Sequence, residues 1–126
     1  MRSQLTLFVP APSSATVEAL RLVLDPVQAS LIAAHVTLCR EDEIAGIPTE
    51  SLLDRARAWP FGAVTLTFGA PRRFMGHGVL LPCEAGDDRF QQLRRWLLRD
   101  DGARVHAAHL TMAHPRNPPA PGNRDE

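Results

Sequence analysis

Residues 33–38 and residues 107–112 carry the same pattern, and this repeat constrains the fold more than any other feature of the chain. The first copy reads Ala-Ala-His-Val-Thr-Leu and the second reads Ala-Ala-His-Leu-Thr-Met. One His-x-Thr triplet has little meaning, but two copies behind identical alanine pairs indicate a duplicated structural unit. We therefore expect the remaining elements to bring His35 and His109 together.

Each copy is predicted to form a β-strand. In a strand, alternate side chains share a face, so His35 and Thr37 point one way while the apolar residues between and after them enter the core. On a helix, the same two side chains would lie roughly 200° apart and could not address one ligand. The second copy places His109 and Thr111 in the same way. Two such strands from repeated halves are expected to be related by a rough two-fold axis, with both imidazoles and both hydroxyls facing one cleft.

Length and apolar periodicity predict one compact domain of strands and helices over residues 1–117. Besides the two repeats, alternation of apolar and polar residues predicts strands at 5–9, 64–68 and 77–82. Helical spacing predicts helices that begin near Ser13, Pro48 and Asp87, together with a short turn after Asp25-Pro26. Residues 69–76 are predicted to form a wide loop. Residues 118–126 combine prolines with Gly, Asn and charged residues, so they are expected to be a disordered tail.

Some side chains carry more specific expectations. Ser13-Ser14 offers an N-cap for the first helix, whose core-facing stripe is predicted to be Val17, Leu20 and Leu24, with Ala19 and Val23 beside them. The last helix is predicted to bury Phe90, Leu93 and Leu97 and to leave Arg94, Arg95 and Arg99 for solvent. The acidic run Glu41-Asp42-Glu43 is predicted to be a solvated turn.

The composition excludes some functional classes. The chain of 126 residues has 14 Lys+Arg and 14 Asp+Glu, so it lacks the basic surface of proteins that hold long nucleic acids. Its N-terminal apolar run is too short for a signal peptide, and no later segment reaches the roughly 20 apolar residues of a membrane helix. We expect a cytoplasmic monomer that does not contact a membrane and in which Cys39 and Cys83 remain reduced.

Two histidines and two threonines around one cleft suit a tetrahedral anion. An imidazole has an ordinary pKa near ~6.5, so one histidine can act as general base while its twin acts as general acid. The threonine hydroxyls can donate hydrogen bonds to the non-bridging oxygens of a phosphate. In-line displacement at phosphorus places the attacking and leaving oxygens on opposite sides, which two flanking histidines can serve without a metal ion or another cofactor.

The pair of His-hydrophobic-Thr-hydrophobic motifs resembles the 2H phosphoesterase superfamily, in particular its 2′-5′ RNA ligase-like and cyclic phosphodiesterase branch. The resemblance extends from the first strand to about Pro115. It implies a bilobal α+β fold of two antiparallel sheets with pseudo-two-fold symmetry around a central cleft, with helices packed outside. It also implies metal-free opening of cyclic phosphodiesters, such as 2′,3′-cyclic phosphates of small nucleotides or RNA 3′ ends. The resemblance makes His35 and His109 the catalytic pair and Thr37 and Thr111 the phosphate ligands.

Three other interpretations remain open. An RNA-end ligase or transesterase would use the same histidines in reverse, although balanced charge argues against a tight hold on long RNA. A phosphate-binding module without turnover is disfavoured by the intact His and Thr pairs. A zinc site of His35, His109 and His114, with or without Cys39, is disfavoured because no tight metal-binding spacing accompanies these residues.

Several residues near the motifs are left outside the predicted site. Cys39 shares strand parity with His35, but a small buried thiol is the favoured expectation. The remaining histidines lack a Thr two residues later and are expected to be rim or solvent residues: His77, His106 and His114. Arg40 follows the first motif, and three further candidates lie in the wide loop: Arg72, Arg73 and Phe74. For all four, contact with a phosphate or a base is the less favoured interpretation, and a surface position is the favoured one.

Overall fold

The computed structural model describes residues 4–74 and 78–114. These residues form an α+β domain with one six-stranded antiparallel sheet and five helices. The strands are β1 (Leu5–Phe8), β2 (His35–Cys39), β3 (Thr67–Phe68), β4 (Arg72–Phe74), β5 (Gly78–Ala85) and β6 (His109–Ala113). The helices are α1 (Ser13–Leu24), α2 (Pro26–Leu31), the single turn α3 (Glu41–Ile44), α4 (Thr49–Arg57) and α5 (Asp87–Leu98).

The two strands that carry the His-x-Thr motifs lie side by side in the sheet. The strand order is β1-β2-β6-β5-β3, with β4 paired to β5, and each pairing is antiparallel. Val36 of β2 pairs with Leu110 of β6. The strands of the described residues thus join into one sheet, and the arrangement of two sheets implied by the family resemblance is not confirmed.

The repeat extends well beyond the two motifs. β1, α1 and β2 form one unit, and β5, α5 and β6 form a second unit. Equivalent positions of the two units are 74 residues apart, as are His35 and His109. Helices α1 and α5 have the same length of 12 residues at this spacing. The strand registers also agree, because Leu7 pairs with Val36 and Leu81 pairs with Leu110. The two units therefore share one backbone plan without an insertion.

Both motif strands contain the same irregularity one residue after the threonine. Thr6 pairs with Thr37, whereas Leu5 pairs with Cys39, so Leu38 is an extra residue of the kind found in a β-bulge. β6 has a register shift at the equivalent place, and both strands end in two successive buried residues. The buried thiol expected for Cys39 is confirmed. Its predicted parity with His35 is wrong, because the bulge turns it into the core.

The apolar faces of the helices cover one face of the sheet. Helix α5 buries Phe90, Leu93 and Leu97, as predicted, in a cluster that includes residues of β2 and β6. Helix α1 packs Val17 and Leu24 against the end of β6. The predicted N-cap of α1 is wrong, because Pro12 occupies that position and no side chain caps the helix. The rest of its predicted stripe is also partly wrong, since three members are exposed: Ala19, Leu20 and Val23.

Arg94 and Glu43 form a buried ion pair that the sequence analysis did not predict. Arg94 was expected to face solvent, but it is only 1% exposed. Its guanidinium donates to both carboxylate oxygens of Glu43, at 2.9 and 2.6 Å, and to the carbonyl oxygens of Leu38 and Arg104. These hydrogen bonds hold the pKa of Glu43 at about 2. Glu43 therefore lies in a charged core contact and not in the solvated turn that was predicted.

The segment before β5 also differs from the prediction. Only Thr67–Phe68 of the alternating run 64–68 pairs with β5, although the side chains of Val64 and Leu66 still pack on the core. Arg72–Phe74, predicted to be part of a loop, forms β4 and pairs with Gly78–Leu80. Two further predictions, on His77 and on the tail 118–126, lie outside the described residues. No helix within the described ranges is long and apolar enough to cross a membrane.

Candidate functional site

The four predicted site residues form one cluster on the central strands. Because β2 and β6 are antiparallel and Val36 pairs with Leu110, His35 lies across from Thr111 and Thr37 lies across from His109. Side chains directly opposite on such strands have Cβ atoms about 4.5–5.5 Å apart, and diagonal neighbours such as the two histidines lie about 7–8 Å apart. This spacing suits two imidazoles on either side of a small tetrahedral group.

The cluster lies on the face opposite the core. His35, Thr37, His109 and Thr111 are all half-buried, while the residues between and after them are buried. The predicted alternation of site and core side chains is therefore confirmed in both strands. These four side chains are partly accessible to a ligand, and the packed face fixes the backbone beneath them.

Both imidazoles are oriented by the same hydrogen bond. His35 Nδ1 lies 2.9 Å from the carbonyl oxygen of Ala33, and His109 Nδ1 lies 3.1 Å from that of Ala107. A carbonyl oxygen only accepts, so Nδ1 carries the hydrogen in each ring. In a neutral ring the lone pair is then on Nε2, which is the arrangement required of a general base. Since both carbonyls lie two residues before the histidine, the repeat fixes the tautomer as well as the position.

Polar side chains of α1 in the first unit and of α5 in the second hold the segment before each motif. In the first unit, Glu18 accepts a hydrogen bond from the Ala34 amide at 2.9 Å, and Arg21 donates to the carbonyl oxygen of Ile32 at 2.9 Å. Burial opposes ionisation of Glu18, but the Ala34 amide and Arg21, which forms an ion pair with it, keep its pKa below its ordinary value.

The second unit uses other side chains at the equivalent backbone groups. Asp87 accepts from the Ala108 amide at 3.4 Å, and Gln91 donates to the carbonyl oxygen of His106 at 2.7 Å. Ala108 and His106 are the repeat equivalents of Ala34 and Ile32. The same two backbone groups are thus bonded in both halves, which rigidifies the segment that carries each Nδ1 partner.

A third histidine, His106, connects the two motifs. It was expected at the rim or in solvent, but it is 7% exposed. Its Nε2 donates to the carbonyl oxygen of Thr37 at 3.0 Å, and its ring lies 5.9 Å from the ring of His109 in an edge-on arrangement. Its Nδ1 lies 3.5 Å from Arg40 Nη2, the guanidinium being the donor. The repeat contains a signal for this burial, because the residue at the equivalent position of the first unit is the apolar Ile32.

Burial lowers the pKa of His106, and the positive charges of Arg94, Arg40 and His109 lower it further. The hydrogen bond to the carbonyl oxygen of Thr37 acts in the opposite direction and raises it. The neutral form is therefore the one that fits the folded protein. Neutral His106 can accept from Arg40 at Nδ1 while it donates from Nε2, which a protonated ring cannot do.

His106 should make stability depend on pH. The unfolded chain binds a proton at this position near the ordinary value of 6.5, whereas the folded chain binds it only at lower pH. Unfolding free energy is then lost as pH falls below about 6.5 and is fully present above it. We expect His106→Gln to lose less unfolding free energy than the wild type between pH ~8 and pH ~5, as measured by urea denaturation. An equal loss in both proteins would contradict this assignment, and His114→Gln serves as a histidine control.

A pocket of about 300 Å³ opens beside His109. It is lined by Arg40, Arg104, Val105, His106, Ala107 and His109. Arg104 is ion-paired with Asp42 and Glu43. Arg40 is exposed, and within the described part of the chain no carboxylate lies at ion-pair distance from it. Among the described residues, the pocket therefore has a positive charge at its edge that no carboxylate matches.

The structure also places the residues that were left outside the predicted site. Arg72 and Arg73 are exposed on β4, at the side of β5 away from β6. His114 follows β6, and its backbone amide donates to the buried carboxylate of Asp25 at 3.0 Å. The zinc alternative is not supported, because among the described residues no three His, Cys, Asp or Glu side chains converge on a point that could hold a metal ion.

Phe8 was not singled out from the sequence, although it adjoins the cluster. It pairs with His35 across β1 and β2, its ring centroid lies 6.1 Å from that of His35, and it is 59% exposed. An exposed aromatic ring on a strand end is a surface on which a nucleobase can stack. Its repeat equivalent beside His109 is Pro82, so the two ends of the cluster differ.

Comparison with known proteins identifies no relative of this chain. No protein-family model matches the chain, and no curated protein or solved structure is significantly similar to it.

Proposed function

We propose that this chain is a metal-independent phosphodiesterase that opens cyclic phosphodiesters, such as the 2′,3′-cyclic phosphates of nucleotides or RNA 3′ ends. The observation that carries the proposal is the duplicated imidazole geometry. Two histidines on adjacent strands each donate Nδ1–H to a backbone carbonyl and each lie across from a threonine. An acid and a base of matched orientation, with two hydroxyl donors between them, fit an in-line displacement at phosphorus.

In the proposed reaction, the Nε2 lone pair of one histidine removes a proton from a water molecule as its oxygen attacks phosphorus. The bond from phosphorus to the 2′ or 3′ oxygen breaks, and the other, protonated histidine donates its Nε2 proton to that oxygen. Thr37 and Thr111 donate hydrogen bonds to the non-bridging oxygens as negative charge develops there. The products are a phosphate monoester and a free hydroxyl, and one proton has moved from one imidazole to the other.

The motif pair also supports membership of the 2H phosphoesterase superfamily and its two-lobed architecture. The pseudo-two-fold relation of the two β-α-β units is the feature of the sheet that agrees with this assignment. We further propose that the substrate is a small cyclic nucleotide or a short RNA end, that long nucleic acids are not bound, and that the protein acts as a cytoplasmic monomer.

The function is tested by a metal-free screen. We expect hydrolysis of nucleoside 2′,3′-cyclic phosphates, cyclic-phosphate RNA ends or ADP-ribose cyclic phosphate in the presence of excess EDTA, because the four side chains supply acid, base and anion donors. Phosphate ester products are followed by chromatography, with and without chelator. Loss of all activity on chelation would replace this mechanism by a metal-dependent one. Ligation of RNA ends without hydrolysis would favour the reverse reaction, and binding without any turnover would indicate a phosphate-binding module.

A further inference from the structure

The cluster of His35, His109 and the two threonines is nearly symmetric, so it cannot by itself decide which way a substrate lies. The direction must come from residues at the two ends that differ between the repeats. The end near His109 has Arg40, His106 and Arg104, and the equivalent positions of the other unit hold His114, Ile32 and Ser30. At these three positions, two arginines lie at the end near His109 and none lies at the other end.

Arg40 is placed to bind an anion at that end. It directly follows β2, and its guanidinium Nη2 lies 3.5 Å from Nδ1 of the buried His106, which anchors it beside the pocket. The neighbouring cations Arg94 and Arg104 are engaged by Glu43 and Asp42. Within the described ranges, no carboxylate compensates the charge of Arg40 in this way. An arginine at the edge of a pocket is the usual partner of a phosphate group.

We propose that this pocket is a subsite for a second phosphate group of the substrate, one ribose away from the cyclic phosphate. This inference rests on the proposed function, because the pocket shares His109 with the catalytic cluster. The second group would be the 5′-phosphoryl of the nucleotide that carries the cyclic phosphate. That 5′-phosphoryl is a monoester in a free nucleotide and a diester in an RNA end. Its binding at Arg40 fixes the substrate direction, with His109 on the side of the second phosphate.

The test compares three substrates that differ in what is attached to the 5′ oxygen of the nucleotide with the cyclic phosphate. They are adenosine 2′,3′-cyclic phosphate, the same compound with a 5′-phosphate, and the dinucleotide ApA with a terminal 2′,3′-cyclic phosphate. The wild type is expected to prefer one or both phosphorylated substrates by about 10- to 100-fold in kcat/KM, the effect of one charge-assisted hydrogen bond. A preference for the monoester alone indicates a nucleotide substrate, and a preference that includes the dinucleotide indicates an RNA end.

Arg40→Gln should reduce this preference to about parity and leave kcat/KM for the unphosphorylated substrate within about 3-fold of wild type. Arg57→Gln, which changes an exposed arginine at the end of α4, is the matched control and should keep the preference. Equal loss on all three substrates in Arg40→Gln would overturn the proposal, because the residue would then act on the reaction itself. An absent preference in the wild type would overturn it as well.

Failure of the proposed function can be distinguished from failure of the subsite. Binding of adenosine 5′-monophosphate and of adenosine is measured by NMR, using the imidazole resonances of the wild type and Arg40→Gln. If no cyclic phosphate is hydrolysed but the 5′-monophosphate binds more tightly than adenosine only in the wild type, the subsite is upheld and the enzyme function is rejected. Equal binding of the two compounds by the wild type overturns the subsite.

Discussion

Replacement of His35 or His109 by alanine is expected to lower kcat for cyclic phosphate hydrolysis by about 10²- to 10⁴-fold, which is the usual contribution of one positioned acid or base. Both side chains are half-buried and lie on the face of the sheet away from the core, so the variants should fold. The double variant should be little worse than either single one, because residues that act as one unit have non-additive effects. Thr37→Val and Thr111→Val should cost less, since each removes one hydrogen-bond donor.

The pH dependence of the rate provides the sharper measurement. A neutral and a protonated imidazole acting together give a bell-shaped profile of kcat/KM. Each single histidine variant should lose a different limb of this profile in its residual activity, because one residue is the base and the other the acid. His114→Ala is the matched control and should keep both limbs. If both single variants retained the full bell and wild-type kcat, the two histidines would not be the catalytic pair.

The repeated motif was sufficient to predict the centre of the fold. A strand is the only regular element that separates His35 and Thr37 from Val36 and Leu38, so both the strand assignment and the open face followed from residue order. The likeness between the two halves is larger than the motif indicated. The sequence shows little of this likeness outside the motifs. Helices α1 and α5 have the same length and occupy equivalent positions, but they share few residue types.

The errors have a common physical origin in contacts between distant parts of the chain. Arg94 looks like a surface residue of α5 on helical spacing alone, and only the presence of Glu43 in α3 makes its burial favourable. His106, in the loop before β6, is buried with its Nε2 donating to the carbonyl oxygen of Thr37 in β2. The bulge that buries Cys39 depends on the register with β1. None of these partners lies within the local window that periodicity can assess.

The buried ion pair matters to the site because Arg94 joins three segments around it. Its guanidinium donates to Leu38 at the end of β2, to Glu43 in α3 and to Arg104 in the loop before β6. The first of these segments carries the first motif, and the last leads into the second motif. The pair thus holds the end of the first motif strand and the approach to the second in one position, and its loss should affect the fold before the chemistry.

We expect Arg94→Leu to lower the free energy of unfolding by about 3–5 kcal/mol, the typical cost of removing one partner from a buried ion pair. Glu43 would be left as a buried carboxylate, and its pKa would rise from about 2 because the hydrogen bonds from Arg94 are the main cause of that low value. Arg95→Leu, at the adjacent and less buried position, is the matched control and should cost less than about 1 kcal/mol. Urea denaturation near neutral pH measures both.

A second variant separates the ion pair from simple loss of packing. Glu43→Leu combined with Arg94→Leu removes both charges, so it should recover part of the stability lost by Arg94→Leu alone.

The pH dependence of stability gives an independent check on the ion pair. The depressed pKa of Glu43 stabilises the wild type above its ordinary value of 4.5, and this contribution is lost as pH falls toward about 2. Variants without Arg94 should lack most of this acid-dependent loss. If Arg94→Leu were as stable as Arg95→Leu, the buried ion pair would not be a main source of stability, and this assignment would be overturned.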